Sequence, residues 1–276
     1  MPLVINTNTA SLEAQKSLQK SQQSLQKSFQ RLSSGFRINN ASDDAAGLGV
    51  SENLKARIRS FSVAERNTTN GLNMARTAES GLGEVSGIVI RMRELAVQSA
   101  NGDLSSTDRS YIDTEFQAMK SEIDRLANST NFNGIDLLGG TAASINFQVG
   151  IGTSSNDSIA VSFGGVSASG LGLNNIAVGG STSTNATAAI TALDTALTTV
   201  STSRASFGAA SNRLSIAVST SQTIRTNLEA ANSSIRDVDV AEETSLLARS
   251  QVLLQAGTSV LAQANGAPQL ALSLLR

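Results

Sequence analysis

The residues of this chain best placed to do chemistry are three pairs of nearby carboxylates, Asp43/Asp44, Asp237/Asp239 and Glu242/Glu243. Such a pair can divide the roles of general acid and general base, or hold a divalent cation through its oxygens. Neither use finds its supporting residues here. The segment DVDVAEE has no third acidic position and none of the glycine that a calcium loop needs at its turn. The 276 residues include no His and no Cys, so the commonest metal ligands and the usual proton shuttle are missing. The glycine fragments GLG and SGLG lack the strand-to-helix context and full spacing of a phosphate-binding loop, and no serine sits in a nucleophile elbow. Charges at helix starts and on solvated faces account for the carboxylates. No enzyme activity and no catalytic, cofactor-binding or metal-binding residue is expected.

The composition points the same way. Aromatics are 3% of the chain and Trp is absent, so a globular core filled by bulky side chains has little material. Small residues suit helices packed along their length, which predicts an elongated molecule. The formal charge of −1 leaves no electrostatic footprint for nucleic acid, and no basic run suggests a lipid surface. Without thiols the redox compartment is unreadable. The start, MPLVINTNTASLEAQK, lacks a basic region followed by a continuous apolar segment, so export would need a route other than a Sec-type signal.

The elements follow from periodicity. Leu18, Leu25 and Leu32 recur every seven residues, with Phe29 and Phe36 offset, until Gly35 supplies a left-handed cap. RINNASDD reads as a connector, with Ser42 as N-cap and Asp43 and Asp44 in the first turn of a second helix. A stripe from Leu54 through Ile58, Phe61, Leu72, Leu82 and Val89 to Leu95 keeps that helix in phase to about Ala100. Gly71, Gly81, Gly83 and Gly87 oppose it at about 1 kcal/mol each. Ser105 and Asp108 form a capping pair for a third helix carrying Ile112, Phe116, Met119, Ile123 and Leu126 and ending near Asn128. Past the Asn133–Gly134 turn signal, alternation at Ile145, Phe147, Val149 and Ile151 and again at Ile159, Val161 and Phe163 predicts a β-hairpin over 145–163. Residues 164–188, nearly all small and neutral, read as an exposed loop whose hydroxyls could accept sugars. Leu193, Val200, Phe207, Leu214, Leu228 and Ile235 then sit seven apart with only Ser221 interrupting, which is coiled-coil spacing.

Residues 250–275 carry no charge, yet Gln251, Gln255, Gln263, Asn265, Gly266 and Pro268 interrupt them too often for a membrane-spanning helix. Two leucine registers run side by side there: Leu246, Leu253 and Val260 beside Leu247, Leu254 and Leu261. So wide a stripe wants neighbours on more than one side. One helix alone cannot offset the backbone entropy of ordering it, which predicts that both chain ends stay disordered in the monomer and fold when many copies associate.

LSSGFRINNASDDAAGL, MRELAVQSANG, EIDRLANSTNFNGIDLL, INFQVG and the closing LLQAGTSVLAQANGAPQLALSLLR, in that order and reaching both ends, resemble bacterial flagellin. The resemblance covers most of residues 1–150 and 185–276. It implies a self-assembling filament subunit for swimming motility: mainly α, a coiled-coil-like bundle of N- and C-terminal helices with a small β-hairpin. Only about 25 small residues stand where many flagellins insert variable outer domains, so no large outer domain is expected. It further implies that 1–42 and 236–276 form the two halves of an inner-tube domain, with terminal helices Val4 to Ser34 and Val240 to Asn265. Residues 43–180 and 181–235 would form the outer-tube domain. Leu18, Leu25, Leu32 and the two tail registers would then be inner-tube contacts. Gln251, Gln255, Gln263 and Asn265 would make amide contacts between helices, and Ala256, Gly257, Ala262 and Ala264 would permit close approach. Implied partners are many copies of the chain, the flagellar type III export apparatus, a chaperone at the C-terminal end, and the filament cap and hook-associated proteins, on a secreted, extracellular filament. In flagellins detected by Toll-like receptor 5, an Arg, a Leu and a Glu make principal contacts, and these match Arg91, Leu95 and Glu115. Ile90 departs from the Gln common at its position, and a contact between subunits is the simpler role for Arg91. The rival readings are a hook-filament junction protein, needed in few copies, and a secreted translocator that would permeabilise liposomes.

Overall fold

The computed structural model describes residues 7–140 and 144–273, the side chains of 267–273 excepted. In chain order it has α1 (Thr9–Ser34), α2 (Ala45–Ser99), α3 (Ser106–Ser129), the two-residue strands β1 (Asn131–Phe132) and β2 (Ile135–Asp136), then β3 (Ser144–Gln148), β4 (Ser158–Ser162), α4 (Thr184–Arg236) and α5 (Val240–Ser273). The chain divides into two compact units, one of Met1–Arg57 with Asn227–Arg276, the other of Ile58–Thr226. Among the described residues, no helix is long and apolar enough to cross a membrane.

The second unit holds the main core. Leu82, Val85, Met92 and Leu95 of α2, Phe116 and Ile123 of α3, Leu137 and Leu138, Val161 and Phe163, and Leu193, Val200, Phe207 and Leu214 of α4 are all buried within it. The α4 heptad therefore faces inward, and its one polar member has a reason. Ser221 is buried, and its hydroxyl donates to the Val149 carbonyl at 3.4 Å where the hairpin meets the helix. Two of the glycines that count against α2 lie where other chain segments press on it. A Cβ on Gly71 would stand 2.8 Å from the Phe147 ring, and one on Gly81 2.8 Å from Leu138. α2 runs unbroken through all four glycines. The hairpin pairs Ser144–Gln148 with Ser158–Ser162 as the alternation predicts. Asn133 and Gly134 take positive φ at the tip of β1–β2, the geometry a two-residue turn requires.

Residues 164–183 overturn the expectation of an exposed loop. They are irregular, but Val166, Ala168, Leu171, Leu173 and Val178 are buried in the core. Their backbone is held by one polar stripe of α3. Arg109 donates to the Ser181 carbonyl, Gln117 to that of Ile176 and Lys120 to that of Asn174. Asp113 accepts from Val178 N at 2.8 Å and Gly179 N at 3.2 Å, and Asp124 accepts from Ala168 N at 2.8 Å. The side chains of a helix thus satisfy backbone groups that burial would otherwise orphan.

Two helix starts also differ from expectation. α2 is capped by Asp44, whose carboxylate accepts from Gly47 N at 2.8 Å, rather than by Ser42. α1 begins at Thr9 with Asn8 as its cap, and residues 4–6 of the expected Val4–Ser34 helix lie outside the described residues. Gly35 ends α1 in the left-handed conformation, and Ser105 with Asp108 forms the capping box of α3, both as predicted. On α4, Thr187, Thr191, Thr195, Thr198, Thr199 and Thr202 each donate their hydroxyl to the carbonyl four residues back.

Candidate functional site

The tail that the sequence leaves without a partner lies in the first unit, where α1 and α5 pack antiparallel. Asn8 donates its amide to the Ala264 carbonyl at 2.8 Å, and Ser11 Oγ donates to Asn265 Oδ1 at 2.7 Å. At the opposite end Arg31 pairs with buried Glu243 at 3.2 Å. On α1 the more covered residues are Asn8, Ser11, Ala14, Leu18, Ser21, Leu25, Ser28 and Leu32. On α5 they are Glu243, Leu247, Ser250, Leu254, Gly257, Leu261 and Ala264. Both series step by three and four, the period of one helix face. Small residues let the axes approach: a Cβ on Gly257 would stand 2.7 Å from Leu18 Cδ1. Thr9–Ser34 and Val240–Ser273 are thus helical and paired within one chain, where disorder of both ends was expected of the monomer. The Leu18/Leu25/Leu32 row and the Leu247/Leu254/Leu261 register supply the seam that makes this possible.

The other register stays uncovered. Leu246 is 40% exposed, Leu253 48% and Val260 53%; Phe29 is as open, and Leu12 and Val252 are more exposed still. Leu253 and Val260, with Ala10, Ala14, Leu18 and Gly257, line a shallow groove along the pair. Gln251, Gln255 and Gln263 are exposed outside the seam, whereas Asn265 reaches Ser11. The helix therefore offers its surroundings apolar side chains and neutral amides, which lose less on desolvation than ions.

Between the helix ends, both connecting segments are tied down. Arg37 N donates to the Arg236 carbonyl and Val238 N to that of Gly35, forming a short antiparallel bridge of Phe36 with Asp237. The Arg236 guanidinium lies 4.7 Å over the Phe36 ring and pairs with Glu52 at 2.7 Å. At least one carboxylate of each pair is engaged by this architecture. Asp43 is held at 2.7 Å by Lys27, whose hydrogen bond, with those from the Asn40 and Asn39 backbone, lowers its pKa to about 2. Asp239 caps α5 through Ala241 N and Glu242 N, and Glu243 pairs with Arg31. Among the described residues, no three His, Cys, Asp or Glu side chains converge to hold a metal ion.

In the second unit, Arg91 donates to Glu115 at 2.9 Å and to Glu94 at 2.9 Å, forming an exposed ionic cluster. Leu95, expected to join Arg91 and Glu115 at a receptor surface, is 2% exposed and belongs to the core, because the stripe that positions α2 runs through it. No motif marks Arg109 and the α3 stripe, but Arg109, Asp113, Gln117, Lys120 and Asp124 recur at helical spacing, which is the signal that the sequence holds for them. The serines of the terminal seam mark a helical period in the same way.

The region described as the bacterial flagellin N-terminal helical region matches residues 5–143, and the bacterial flagellin C-terminal helical region matches residues 190–275. The chain is 40% identical to the flagellar filament 33 kDa core protein of Treponema phagedenis, over 99% of this chain and 100% of that one. It is also 40% identical to a flagellin of Halalkalibacterium halodurans, with the same coverage. The crystal structure of Bacillus cereus flagellin superposes with a TM-score of 0.51 at 34% identity, covering 60% of this chain and 94% of that one.

Proposed function

Because the chain belongs to the bacterial flagellin family, it is a structural subunit that polymerises into the flagellar filament, and we propose that the uncovered face of the α1–α5 pair is where copies pack. The observation that carries this reading is the exposed row Leu246, Leu253 and Val260 on a helix whose last ion before residue 266 is Arg249. Water is a poor environment for that row, and an identical row on a neighbour is a good one. Residues 1–42 and 236–276 form the inner tube of the filament, and 43–180 with 181–235 its outer tube. Gln251, Gln255 and Gln263, free of the seam, donate and accept across subunits, while Leu18, Leu25, Leu32, Leu247, Leu254 and Leu261 hold each subunit's own pair together. The subunit passes through the flagellar export apparatus with a chaperone on its C-terminal end, meets the cap and hook-associated proteins, and resides in an extracellular filament. Arg91 and Glu115 are the surface residues open to Toll-like receptor 5. The test of the packing face is polymerisation of the full chain carrying Leu253→Asp, followed by negative-stain microscopy. Loss of filaments with unchanged helicity supports the reading, and filaments of normal length and abundance overturn it.

A further inference from the structure

Four Asn–Gly dipeptides occur in the chain, at residues 70, 101, 133 and 265. They are chemically alike, because glycine offers no side chain to keep the asparagine amide away from the following nitrogen. The fold makes them different. Asn70 and Asn265 lie inside α2 and α5, where the helix fixes the backbone and Ser11 holds the Asn265 amide. Asn133 sits in the turn between β1 and β2 with φ 51°. Asn101 is in the exposed turn between α2 and α3, and its own amide is folded back so that Gly102 N stands 3.0 Å from Oδ1. Among the described residues, it is the one Asn–Gly pair with this contact.

A second feature converges on the same peptide. The Asn101 carbonyl accepts a hydrogen bond at 2.8 Å from Nη2 of Arg109, a guanidinium 4% exposed and also bound to the Ser99 carbonyl at 3.0 Å. When the Gly102 amide loses its proton, the negative charge spreads onto this carbonyl oxygen. A fixed, permanently charged donor there stabilises the anion more than water would. Asp103 opposes it, but that residue is exposed and screened by solvent.

We propose that Asn101 is a self-modification site, at which the Gly102 nitrogen closes on the asparagine side chain to form a succinimide. The nitrogen forms a bond to Cγ and gives its proton to solvent. The Cγ–Nδ2 bond breaks, and the amide leaves as ammonia after taking a proton from solvent. One water then opens the ring at either carbonyl, giving an aspartate or its β-linked isomer. Nothing is oxidised or reduced, and water is the one co-reactant. The product places a new carboxylate beside Asp103. In the β-linked isomer the carbonyl that faces Arg109 becomes the free carboxylate, and the main chain continues through the former side-chain carbonyl, one methylene longer.

The experiment incubates the full-length folded protein at mildly alkaline pH and follows all four dipeptides by peptide mapping, mass spectrometry and an isoaspartyl assay. A parallel sample is kept in urea. In the folded chain, Asn101 converts on the order of tenfold faster than Asn133, a barrier difference of about 1.4 kcal/mol. In urea the two rates converge. Arg109→Gln removes the advantage, and Gly102→Ala, with no atom within 4 Å of its Cβ, slows conversion without disturbing the fold. If Asn101 in the folded wild type converts no faster than Asn133, the proposal is wrong. An undiminished advantage in a folded Arg109→Gln variant overturns the role of the guanidinium. Should that variant fail to fold, the comparison of folded and urea-treated wild type decides alone.

Discussion

Gly257 and Asp43 show how much single side chains settle in the first unit. With Leu18 Cδ1 already 2.7 Å from where a Cβ would sit, Gly257→Val must displace the Leu18 side chain or part α1 from α5. The expected cost is about 1–3 kcal/mol, measurable as a fall in the midpoint of terminal-helix melting by circular dichroism. Asp43 makes a pH-dependent contribution. Its folded pKa of about 2 lies below the usual 3.8, so its pairing with Lys27 stabilises the fold fully above 3.8 and is lost as pH falls towards 2. Lys27→Met should therefore be less stable than wild type near neutrality, and the gap should close over that acid window in urea titrations. A gap that persists below pH 2 would show that Lys27 acts through packing instead. At this scale the sequence is legible where one residue type has one use. Gly35 and the Ser105–Asp108 box are found where they are expected. Ser42, Asp43 and Asp44 are three acceptors in a row, and which of them caps α2 depends on Lys27, which claims Asp43 from another helix.

Among the elements, α3 is the one whose meaning changes most with the structure. Its apolar face was readable from Ile112, Phe116 and Ile123, but its polar face has a second task, holding residues 164–183 by their backbone. Removing Asp113 takes the acceptor from both Val178 N and Gly179 N, each an expense of about 1–3 kcal/mol if left unsatisfied. Asp113→Ala should therefore speed hydrogen exchange at those two amides while leaving the ellipticity of α3 intact. Equal exchange in the two proteins would mean that the strap is held by Val166, Leu173 and Val178 alone. The heptads of α4 were legible because bulky residues repeat at a fixed interval. The strap was not, because its buried residues are few and irregularly spaced, and its polar partners are far away in sequence.

For the whole molecule, the two leucine registers of α5 separate folding from assembly. Leu253→Asp alters the uncovered row and should block polymerisation with monomer helicity unchanged. Leu254→Asp puts a charge into the α1–α5 seam and should also lower helicity, because the partner surface belongs to the same chain. Removing residues 236–276 should leave a helical monomer that forms no filaments, since α1 then loses its seam. The width of the stripe was visible in the sequence. Which half of it the chain keeps for itself was not, because that depends on the antiparallel register set by Asn8, Ser11 and Arg31. The threonines of α4 carry a different consequence. Each hydroxyl is committed to its own helix, so this flank shows the solvent methyl groups where the composition promises hydrogen-bond donors. Few tightly held waters would have to leave when something is laid along it, and contacts made there should tighten with gentle warming and slacken in the cold.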